Sequence, residues 1–363
     1  MNAMGKSIYS VITASGSYVP STVVKNSSFL TSEFYEANGE KIDKPNEEIV
    51  EKFKQITEIE ERRYVEDEYV TSDIGSFAAE DALKTGNIDK ESLDYIIVAH
   101  NFGDVTKGST KVDIVPTLAS RIKFKLGIQN PNTVAYDLPF GCPGWLQALI
   151  QANYYIKSGD AKKVLVIGAE TLSRIFDPYD RDSMIFSDGA GAVVVEAVES
   201  NEPIGILSHK TRTDAVDHAW LLKMGKSYNP VIANGEMFIK MNGRKLYEYA
   251  LTTVPQLIKD AMEKAGVFLD NIKKVLIHQA NAKMDDAMLK RLFRLFGKRQ
   301  IPENIMPMTI AKFGNNSVAT LPILFDLLLK GKLENHHLLS GDHFVFASVG
   351  AGMNVNAVIY RMQ

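Results

Sequence analysis

Val-Ala-Tyr-Asp-Leu-Pro-Phe-Gly-Cys-Pro-Gly-Trp, residues 134–145, contains Cys142, the only cysteine in a chain of 363 residues. The stretch joins a strand-like apolar run, residues 134–138, to a helix-like apolar run, residues 144–157. A third run, residues 163–169, is again apolar and rich in β-branched residues, as buried strands are. Together the three runs predict a βαβ unit in which Cys142 enters the helix.

The position of Cys142 at the start of a helix favours a reactive thiolate. The N-terminal end of a helix carries partial positive charge, which stabilises a thiolate relative to a thiol. A single cysteine among apolar residues is also compatible with a small buried hydrophobic residue that has no chemical role. These residues alone leave both interpretations open.

The composition restricts the class of protein. Lys and Arg total 41 against 44 Asp and Glu, a formal charge of -3, so no global basic field for nucleic acid is present. One cysteine rules out an intramolecular disulfide framework and a thiolate metal cluster, and it suits a reducing compartment. No apolar run reaches the ~18 residues of a membrane span. We expect a cytoplasmic α/β protein without a nucleic-acid partner or a membrane span.

The order of predicted elements indicates two similar halves. The pattern of strands and helices restarts after Pro203, so we predict halves at residues 1–200 and 201–363. A small-residue turn is predicted at residues 187–192, a surface excursion at 27–54 and a binding loop at 101–112. Further strands are predicted at 7–15, 95–99, 193–196, 274–278, 344–347 and 355–360, and further helices at 71–85, 244–264, 282–296 and 317–329.

Two residues of the second half are candidates for chemistry. His278 follows the apolar strand Val275-Leu-Ile and therefore lies at a carboxyl end, where α/β sheets form sites. Asn315 lies in the turn Phe-Gly-Asn-Asn-Ser before a helix. Taken singly, His278 is also compatible with a structural hydrogen bond and Asn315 with a helix N-cap.

The three motifs occur in one order, and here the chain resembles the β-ketoacyl-acyl carrier protein synthase III family of thiolase-fold condensing enzymes. The resemblance runs from Glu61-Arg62-Arg63 through Ser187-Asp-Gly-Ala-Gly-Ala to Ser348-Val-Gly-Ala-Gly. It implies a five-layered αβαβα fold of two duplicated halves, normally a homodimer. It also implies a catalytic triad of Cys142, His278 and Asn315.

The resemblance implies a decarboxylative Claisen condensation. Cys142 would take an acyl group from a thioester, and the backbone N–H groups of Cys142 and Ala351 would form the oxyanion hole. A malonyl thioester on an acyl carrier protein would then lose carbon dioxide, and His278 and Asn315 would stabilise the enolate. Coenzyme A and phosphopantetheine thioesters are then substrates, and no metal or redox cofactor is expected.

The resemblance also suggests contacts for the carrier and for coenzyme A. Lys283 takes the position of a basic residue that the family uses in carrier docking, and Arg174 matches an arginine laid against the coenzyme A adenine. Basic residues that we expect to steer an acidic carrier protein are Arg244, Lys245, Lys290, Arg291 and Arg294.

The chain departs from family members that start from acetyl-coenzyme A. Lys52 and Ile56 stand where those members carry a tryptophan and an arginine. The usual Phe-Gly-Gly-Gly is replaced by residues 349–352, Val-Gly-Ala-Gly, and Pro143 follows the nucleophile. A longer acyl chain delivered by a carrier protein is therefore at least as consistent with the sequence as acetyl-coenzyme A.

Two alternatives stay open at this point. The same triad serves synthases that condense and cyclise β-keto acyl thioesters into dialkylresorcinol precursors. A non-catalytic thiolase-fold partner subunit is the alternative from another class, although Cys142 argues against it.

Overall fold

The computed structural model describes residues 6–232 and 235–363. Thirteen strands and eight α-helices lie within these residues. The strands are β1 (Ser7–Tyr18), β2 (Thr22–Lys25), β3 (Glu61–Tyr64), β4 (Tyr95–Ala99), β5 (Val134–Leu138), β6 (Lys163–Thr171), β7 (Asp188–Ser200), β8 (Gly205–Thr213), β9 (Leu222–Gly225), β10 (Phe238–Met241), β11 (Ile272–Ile277), β12 (His343–Gly350) and β13 (Asn354–Arg361). The helices are α1 (Asn46–Thr57), α2 (Thr71–Thr85), α3 (Leu118–Lys125), α4 (Gly144–Ser158), α5 (Gly243–Ala265), α6 (Ala282–Leu295), α7 (Ile310–Phe313) and α8 (Thr320–Leu329).

Two large sheets form the framework. The first has the order β1-β7-β6-β4-β5, and the second has the order β11-β12-β13-β8. In the first sheet β5, β4 and β6 are parallel while β7 and β1 are antiparallel to their neighbours; in the second, β11 and β12 are parallel. β7 ends at Ser200 and β8 begins at Gly205, so each sheet takes its strands from one side of this interval.

Helices cover both sheets and fill the space between them. α4 and α8 share one apolar cluster with inner faces of both sheets, in which Trp145, Phe325 and Phe346 are buried. α2 and α3 pack on the outer face of the first sheet, and α5 and α6 pack on the outer face of the second. The result is the expected five-layered αβαβα arrangement. None of the helices in residues 6–232 and 235–363 combines the length and apolar character needed to cross a bilayer.

The small-residue segment at 187–192 is not the expected turn but the start of β7, which runs without a break from Asp188. A Cβ atom on Gly191 would lie 2.7 Å from the Cβ of Pro322 on α8. The glycines therefore allow close packing of a helix on a strand, since a side chain there would force the two elements apart. Composition alone suggested a turn because it does not show what packs against the backbone.

Residues 27–54 are more than a surface excursion. Phe34, Ile49 and Val50 are buried with Met184 in a separate apolar cluster. The fully buried Arg62 guanidinium lies over the Phe29 and Phe53 rings and donates to the Met184 carbonyl oxygen at 2.7 and 3.0 Å. This segment therefore holds α1 against the 3₁₀ turn Arg181–Ile185.

Candidate active site

An inner cavity of about 250 Å³ lies where the two halves meet. Cys142, His278 and Asn315 all line it, together with Ser317 and the glycine-rich segment 349–351. The remaining lining is mainly apolar and includes Phe186. The structure thus brings together the three residues that the sequence proposes as a triad.

Cys142 reaches the cavity because the chain turns sharply between β5 and α4. Gly141 has φ 69°, in the left-handed region that favours glycine, and α4 begins two residues after the sulfur-bearing residue. Burial raises the pKa of the Cys142 thiol to about 11, while a hydrogen bond from the Ser317 hydroxyl, 3.5 Å from Sγ, acts in the opposite direction. The positive end of α4 also favours the thiolate.

The proposed oxyanion segments of the two halves touch. A Cβ on Gly141 would lie 2.8 Å from the Ala351 backbone nitrogen, and one on Gly350 would lie 2.5 Å from the Cys142 backbone nitrogen. Glycine at both positions lets the two backbones approach to this distance, because any side chain would push them apart. The Cys142 and Ala351 backbones, from different halves, therefore lie close together, and both residues line the inner cavity.

His278 follows β11 directly and is buried. Its backbone N–H donates to the Ala347 carbonyl oxygen at 2.9 Å, which continues the register with β12. Burial lowers the pKa of the His278 imidazole to about 4, so the ring is neutral at physiological pH. Its Nδ1 atom is buried and has no partner among the described residues.

Asn315 lies in the turn between α7 and α8. Its Oδ1 atom accepts a hydrogen bond from the Ser317 backbone N–H at 2.8 Å. The Nδ2 group makes no hydrogen bond within the described part of the chain, and the residue lines the inner cavity. The amide is thus held with its donor group unoccupied, as a site for a developing negative charge requires.

A wider outer cavity of about 690 Å³ adjoins the inner one. Residues Met241, Leu246, Ala280 and Met284 line both. The outer lining mixes charges of both signs, contributed by Lys44, Glu48, Lys52, Arg181, Asp182, Arg244 and Glu248. Lys52 and Ile56, on α1, both face it. The two cavities together form a route from a charged opening to the Cys142 sulfur.

Comparison with known proteins places this site in a family. The family described as 3-oxoacyl-[acyl-carrier-protein (ACP)] synthase III matches residues 136–215, and its C-terminal part matches 262–362. The β-ketoacyl-[acyl-carrier-protein] synthase III of Erythrobacter litoralis is 32% identical over 98% of this chain and 99% of its own length. The chain belongs to the 3-oxoacyl-[acyl-carrier-protein] synthase III family.

Two further relatives agree with that assignment. The β-ketoacyl-[acyl-carrier-protein] synthase III of Staphylococcus saprophyticus is 32% identical over 95% of this chain and 96% of its own length. The crystal structure of the synthase III of Thermus thermophilus superposes with a TM-score of 0.79 at 31% identity, covering 97% of this chain and 99% of that one. The resemblance to the synthase III family and the thiolase-type fold, both expected from the sequence, are confirmed.

In this synthase III family chain the expected carrier-docking residues are spread over a wide surface. Lys283 is exposed beside Lys54 and the carboxylates of Glu51, Glu58 and Glu60. Arg244 lines the outer cavity and is 3.2 Å from Glu248, whereas Lys245 is exposed but does not line it. The exposed residues Lys290, Arg291 and Arg294 line neither cavity and extend along α6 up to about 16 Å beyond Lys283.

The structure does not support the expected contact between Arg174 and an adenine ring. Arg174 is buried, and its Nη2 atom donates to the Glu66 carbonyl oxygen at 2.9 Å. Because these groups hold the guanidinium within the protein, Arg174 stabilises the segment before α2 rather than a ligand. Arg181, seven positions further along the chain, is the arginine of this segment that lines the outer cavity.

Sequence reasoning missed Ser317 and Asn101 as site residues. Ser317 contacts the sulfur, and Asn101, two residues after the end of β4, lines the inner cavity. The position of Asn101 at a strand's carboxyl end was a usable signal, since the segment 101–112 was already predicted as a binding loop. Nothing in the Asn-Asn-Ser motif shows that the serine hydroxyl, rather than an asparagine amide, reaches the sulfur.

Proposed function

We propose that this chain catalyses a decarboxylative Claisen condensation of an acyl thioester with malonyl-acyl carrier protein, producing a β-ketoacyl thioester in fatty acid or related lipid biosynthesis. The observation that carries the proposal is the common cavity of Cys142, His278 and Asn315 in a chain of the synthase III family. The enzyme is accordingly an acyltransferase of the condensing type.

In the first half-reaction the Cys142 thiolate attacks the acyl thioester carbonyl. The carbonyl oxygen becomes an oxyanion that the backbone N–H groups of Cys142 and Ala351 stabilise. Collapse of the tetrahedral intermediate breaks the bond to the leaving sulfur, which departs as a thiolate and takes a proton from solvent. The acyl group then remains on Cys142 as a thioester.

In the second half-reaction the malonyl thioester loses its carboxylate as carbon dioxide. The electron pair of the broken carbon–carbon bond moves into an enolate, whose oxygen needs hydrogen-bond donors. The neutral His278 ring and the unoccupied Nδ2 of Asn315 are suitable donors, because neither requires a proton transfer to act.

Condensation completes the cycle. The enolate carbon attacks the acyl-Cys142 carbonyl, a carbon–carbon bond forms, and the Cys142 sulfur leaves as a thiolate. The Cys142 thiolate supplies the electron pair for acylation and the broken carbon–carbon bond of the malonyl group supplies the pair for condensation, so the proposed reaction draws on no metal or redox cofactor. Coenzyme A and phosphopantetheine enter as parts of the substrates.

The direct test is the mass of the intact protein after incubation with a panel of acyl-coenzyme A and acyl-carrier thioesters. We expect one acyl adduct per chain, absent in the Cys142→Ala variant, and release of a β-ketoacyl product once malonyl-acyl carrier protein is added. An adduct that persists in Cys142→Ala, or a chain that no thioester acylates, would contradict the proposal.

The acyl donor in this proposal is longer than acetyl and arrives on a carrier protein. Support comes from the mainly apolar inner cavity, with Leu172, Met224 and Ile239 in its wall, and from Lys52 and Ile56 at the opening. The same panel tests this: the fastest acylation is expected from a carrier-bound medium or long chain. Preferential acylation by acetyl-coenzyme A would overturn this part alone.

Carrier docking in the proposal centres on Lys283, next to the outer cavity. Because an acidic carrier is attracted by exposed cations, Lys283→Glu is expected to raise the KM for malonyl-acyl carrier protein several-fold and to leave kcat nearly unchanged. Lys84→Glu, an exposed charge reversal on α2, is the matched control and should leave both constants at their wild-type values. Equal effects of the two variants would refute a specific role for Lys283.

A homodimer is also part of the proposal. β5 is an edge strand of the first sheet, and its residues are exposed or partly exposed along its length. Since an open edge strand can pair with another strand, the edges of two copies can join their sheets. Sedimentation equilibrium should give twice the chain mass, and a monomer would contradict this point. The single cysteine suits a reducing compartment, so we propose a cytoplasmic location.

The cyclising and non-catalytic alternatives are less well supported. The relatives bear names of β-ketoacyl-[acyl-carrier-protein] synthases, which favours a linear β-ketoacyl product over a dialkylresorcinol precursor. A partner subunit without activity would have no use for a cysteine that is accessible in the inner cavity.

A further inference from the structure

A chain of hydrogen bonds runs from the first sheet to the Cys142 sulfur. Asn101 Nδ2 lies 2.6 Å from Glu170 Oε2 and 3.0 Å from the Ser317 hydroxyl oxygen. The Ser317 hydroxyl is in turn 3.5 Å from Cys142 Sγ. The chain joins three segments that are far apart in sequence: the end of β4, β6 and the turn before α8.

The chemistry of the amide and the hydroxyl determines which group donates and which accepts in each of these hydrogen bonds. An amide nitrogen can only donate, so Asn101 Nδ2 donates one hydrogen to Glu170 and the other to the Ser317 oxygen. The Ser317 oxygen therefore acts as an acceptor toward Asn101, and its own hydrogen is free for the sulfur. A hydroxyl that must donate to sulfur stabilises the thiolate more than the thiol.

Glu170 fixes the first group of this series of hydrogen bonds, the Asn101 side chain. Its side chain is buried, and Oε2 also accepts the backbone N–H of Asn101 at 3.1 Å. The carboxylate therefore binds both the main chain and the side chain of Asn101 and prevents the amide from rotating. The negative charge itself acts against the thiolate, so its contribution is orientation rather than attraction.

The backbone of Ser317 is specialised for the same place. It has φ 51°, a left-handed conformation that residues other than glycine adopt rarely, and its N–H holds Asn315 Oδ1. One residue thus orients the Asn315 amide through its backbone and contacts Cys142 through its side chain. A strained conformation at such a point is typical of functional sites.

We propose that Ser317 is a further catalytic residue, whose hydroxyl donates to the Cys142 thiolate, and that Asn101 and Glu170 are positioning residues that set the direction of this hydrogen bond. Its catalytic meaning rests on the proposed function, but the state of the thiol can be measured without any substrate. No proton moves along the chain, because the Asn101 amide cannot accept one.

Other titratable groups lie near the sulfur, and a change in their charge would alter its pKa, so the test of Ser317 leaves these residues unmutated. Glu170 faces it from β6, His278 from the end of β11, and Lys223 lines the same cavity from β9. His100 stands beside Glu170, with its Nε2 atom 2.9 Å from Asp137 Oδ2. Of these groups, only Glu170 is changed, in a variant of its own.

The experiment is the pH dependence of Cys142 alkylation by iodoacetamide, followed by intact mass in the substrate-free protein. Because the chain has one cysteine, each adduct reports on that sulfur. A hydrogen bond to a charged group corresponds to about one pKa unit or more, so Ser317→Ala should shift the midpoint upward by that amount and slow alkylation below it about tenfold. Ser348→Ala removes another buried hydroxyl near the cavity and should keep the wild-type midpoint.

Two further variants separate positioning from charge. Asn101→Leu should also raise the midpoint, but it should have no effect when combined with Ser317→Ala, because its action passes through the hydroxyl. Glu170→Gln keeps an acceptor for Asn101 and removes the negative charge, so the midpoint should fall.

Three results would overturn the inference. An unchanged midpoint in a folded Ser317→Ala protein would remove Ser317 from the chemistry. An additive effect of Asn101→Leu in the double variant, or a rise in Glu170→Gln, would remove the positioning role. None of them bears on whether acyl groups are transferred, which the adduct masses under the proposed function decide independently.

Discussion

The two central helices, α4 and α8, both begin at the inner cavity but bring different chemistry to it. α4 starts just after Cys142 and delivers a nucleophile, whereas α8 starts just after residues 315–319 and delivers an amide and a hydroxyl. Both approach Gly168 of β6, where a Cβ would lie 2.5 Å from the carbonyl oxygen of Val318, just before α8, and 3.2 Å from the Cβ of Trp145 on α4. A site therefore exists only where the halves meet, and neither half has a complete set of groups.

The turns that precede the two helices also differ. Each contains a left-handed residue, Gly141 with φ 69° before α4 and Ser317 with φ 51° before α8. At Gly141 a side chain would strike Ala351, whereas at Ser317 the side chain is needed to reach the sulfur. The left-handed conformation thus allows close approach of Ala351 at Gly141, and it directs the hydroxyl toward the sulfur at Ser317.

Removal of the nucleophile should have the largest effect. In Cys142→Ala we expect condensation to fall by about 10³-fold or more, since the acyl-enzyme cannot form. Decarboxylation of malonyl-acyl carrier protein should continue, because the α8 side of the site is intact. Radiolabelled carbon dioxide release and β-ketoacyl product formation measure the two steps separately. Loss of both steps in a folded variant would show that decarboxylation also depends on Cys142 and is not carried out by the α8 side of the site alone.

The converse change on the α8 side should be smaller and selective. Asn315→Ala is expected to slow decarboxylation about 10²- to 10³-fold, the usual effect of losing one oxyanion donor, while acylation of Cys142 changes little. Asn316→Ala is the control: its Nδ2 donates to the Asp188 carbonyl oxygen at 2.7 Å, and it does not line the inner cavity. An equal loss of acylation and decarboxylation in Asn315→Ala would count against the enolate role.

The close approach of the two halves can be tested at Gly141. Gly141→Ala combines left-handed strain of about 1–2 kcal/mol with a clash against Ala351. Gly297→Ala has similar strain at φ 73° but no atom within 4 Å of the new Cβ. Both variants should lose stability in thermal unfolding, and only Gly141→Ala should lose condensation activity, about tenfold. Equal activity in the two would mean that the position of the Ala351 N–H is unimportant.

The sequence predicted the helices and strands better than the contacts between them. The limits of β4, β5 and α2 agree with the predicted ranges, because their apolar periodicity is undisturbed from end to end. The strand over Asp188–Ser200 was partly mistaken for a turn, since the reason for its glycines lies on α8 and not in neighbouring residues. β8, β9 and β10 were not predicted, because their exposed and mixed residues give no clear alternation.

The same limit applies to the site. Cys142, His278 and Asn315 could be selected because each residue type is chemically distinctive and follows a recognisable motif. Arg174 looked equally suitable as a ligand contact, but only the fold shows that backbone carbonyl oxygens already occupy its guanidinium. Ser317 was missed for the complementary reason: serine is common, and its contact with the sulfur spans 175 positions.

Two buried aspartates on helices of the C-terminal half differ in their hydrogen-bond partners. Asp326, on α8, accepts hydrogen bonds from the Ser15 and Ser17 hydroxyls at 2.8 and 2.6 Å. Asp285, on α6, is equally buried, and neither of its oxygens has a partner within the residues that the structure describes. Burial raises the pKa of the Asp285 carboxyl well above its ordinary value.

This difference has a definite sign in the stability of the protein. The folded state keeps Asp285 protonated at pH values where the unfolded chain ionises it, so the carboxyl favours unfolding increasingly from about pH 4 upward. The cost grows by about 1.4 kcal/mol per pH unit until the folded group also ionises. Asp285→Leu should therefore unfold at a higher temperature than the wild type, with a gain that increases as the pH rises above about 4.

Asp285→Asn provides the matched comparison for this last effect. The amide has the same shape but cannot ionise, so the pH-dependent part of the gain should appear in both variants, and the gain from removing a buried polar group should appear only with leucine. Differential scanning calorimetry across the pH range measures both parts. A gain that is constant with pH in both variants would mean that the Asp285 carboxyl ionises in the folded protein as readily as in the unfolded chain.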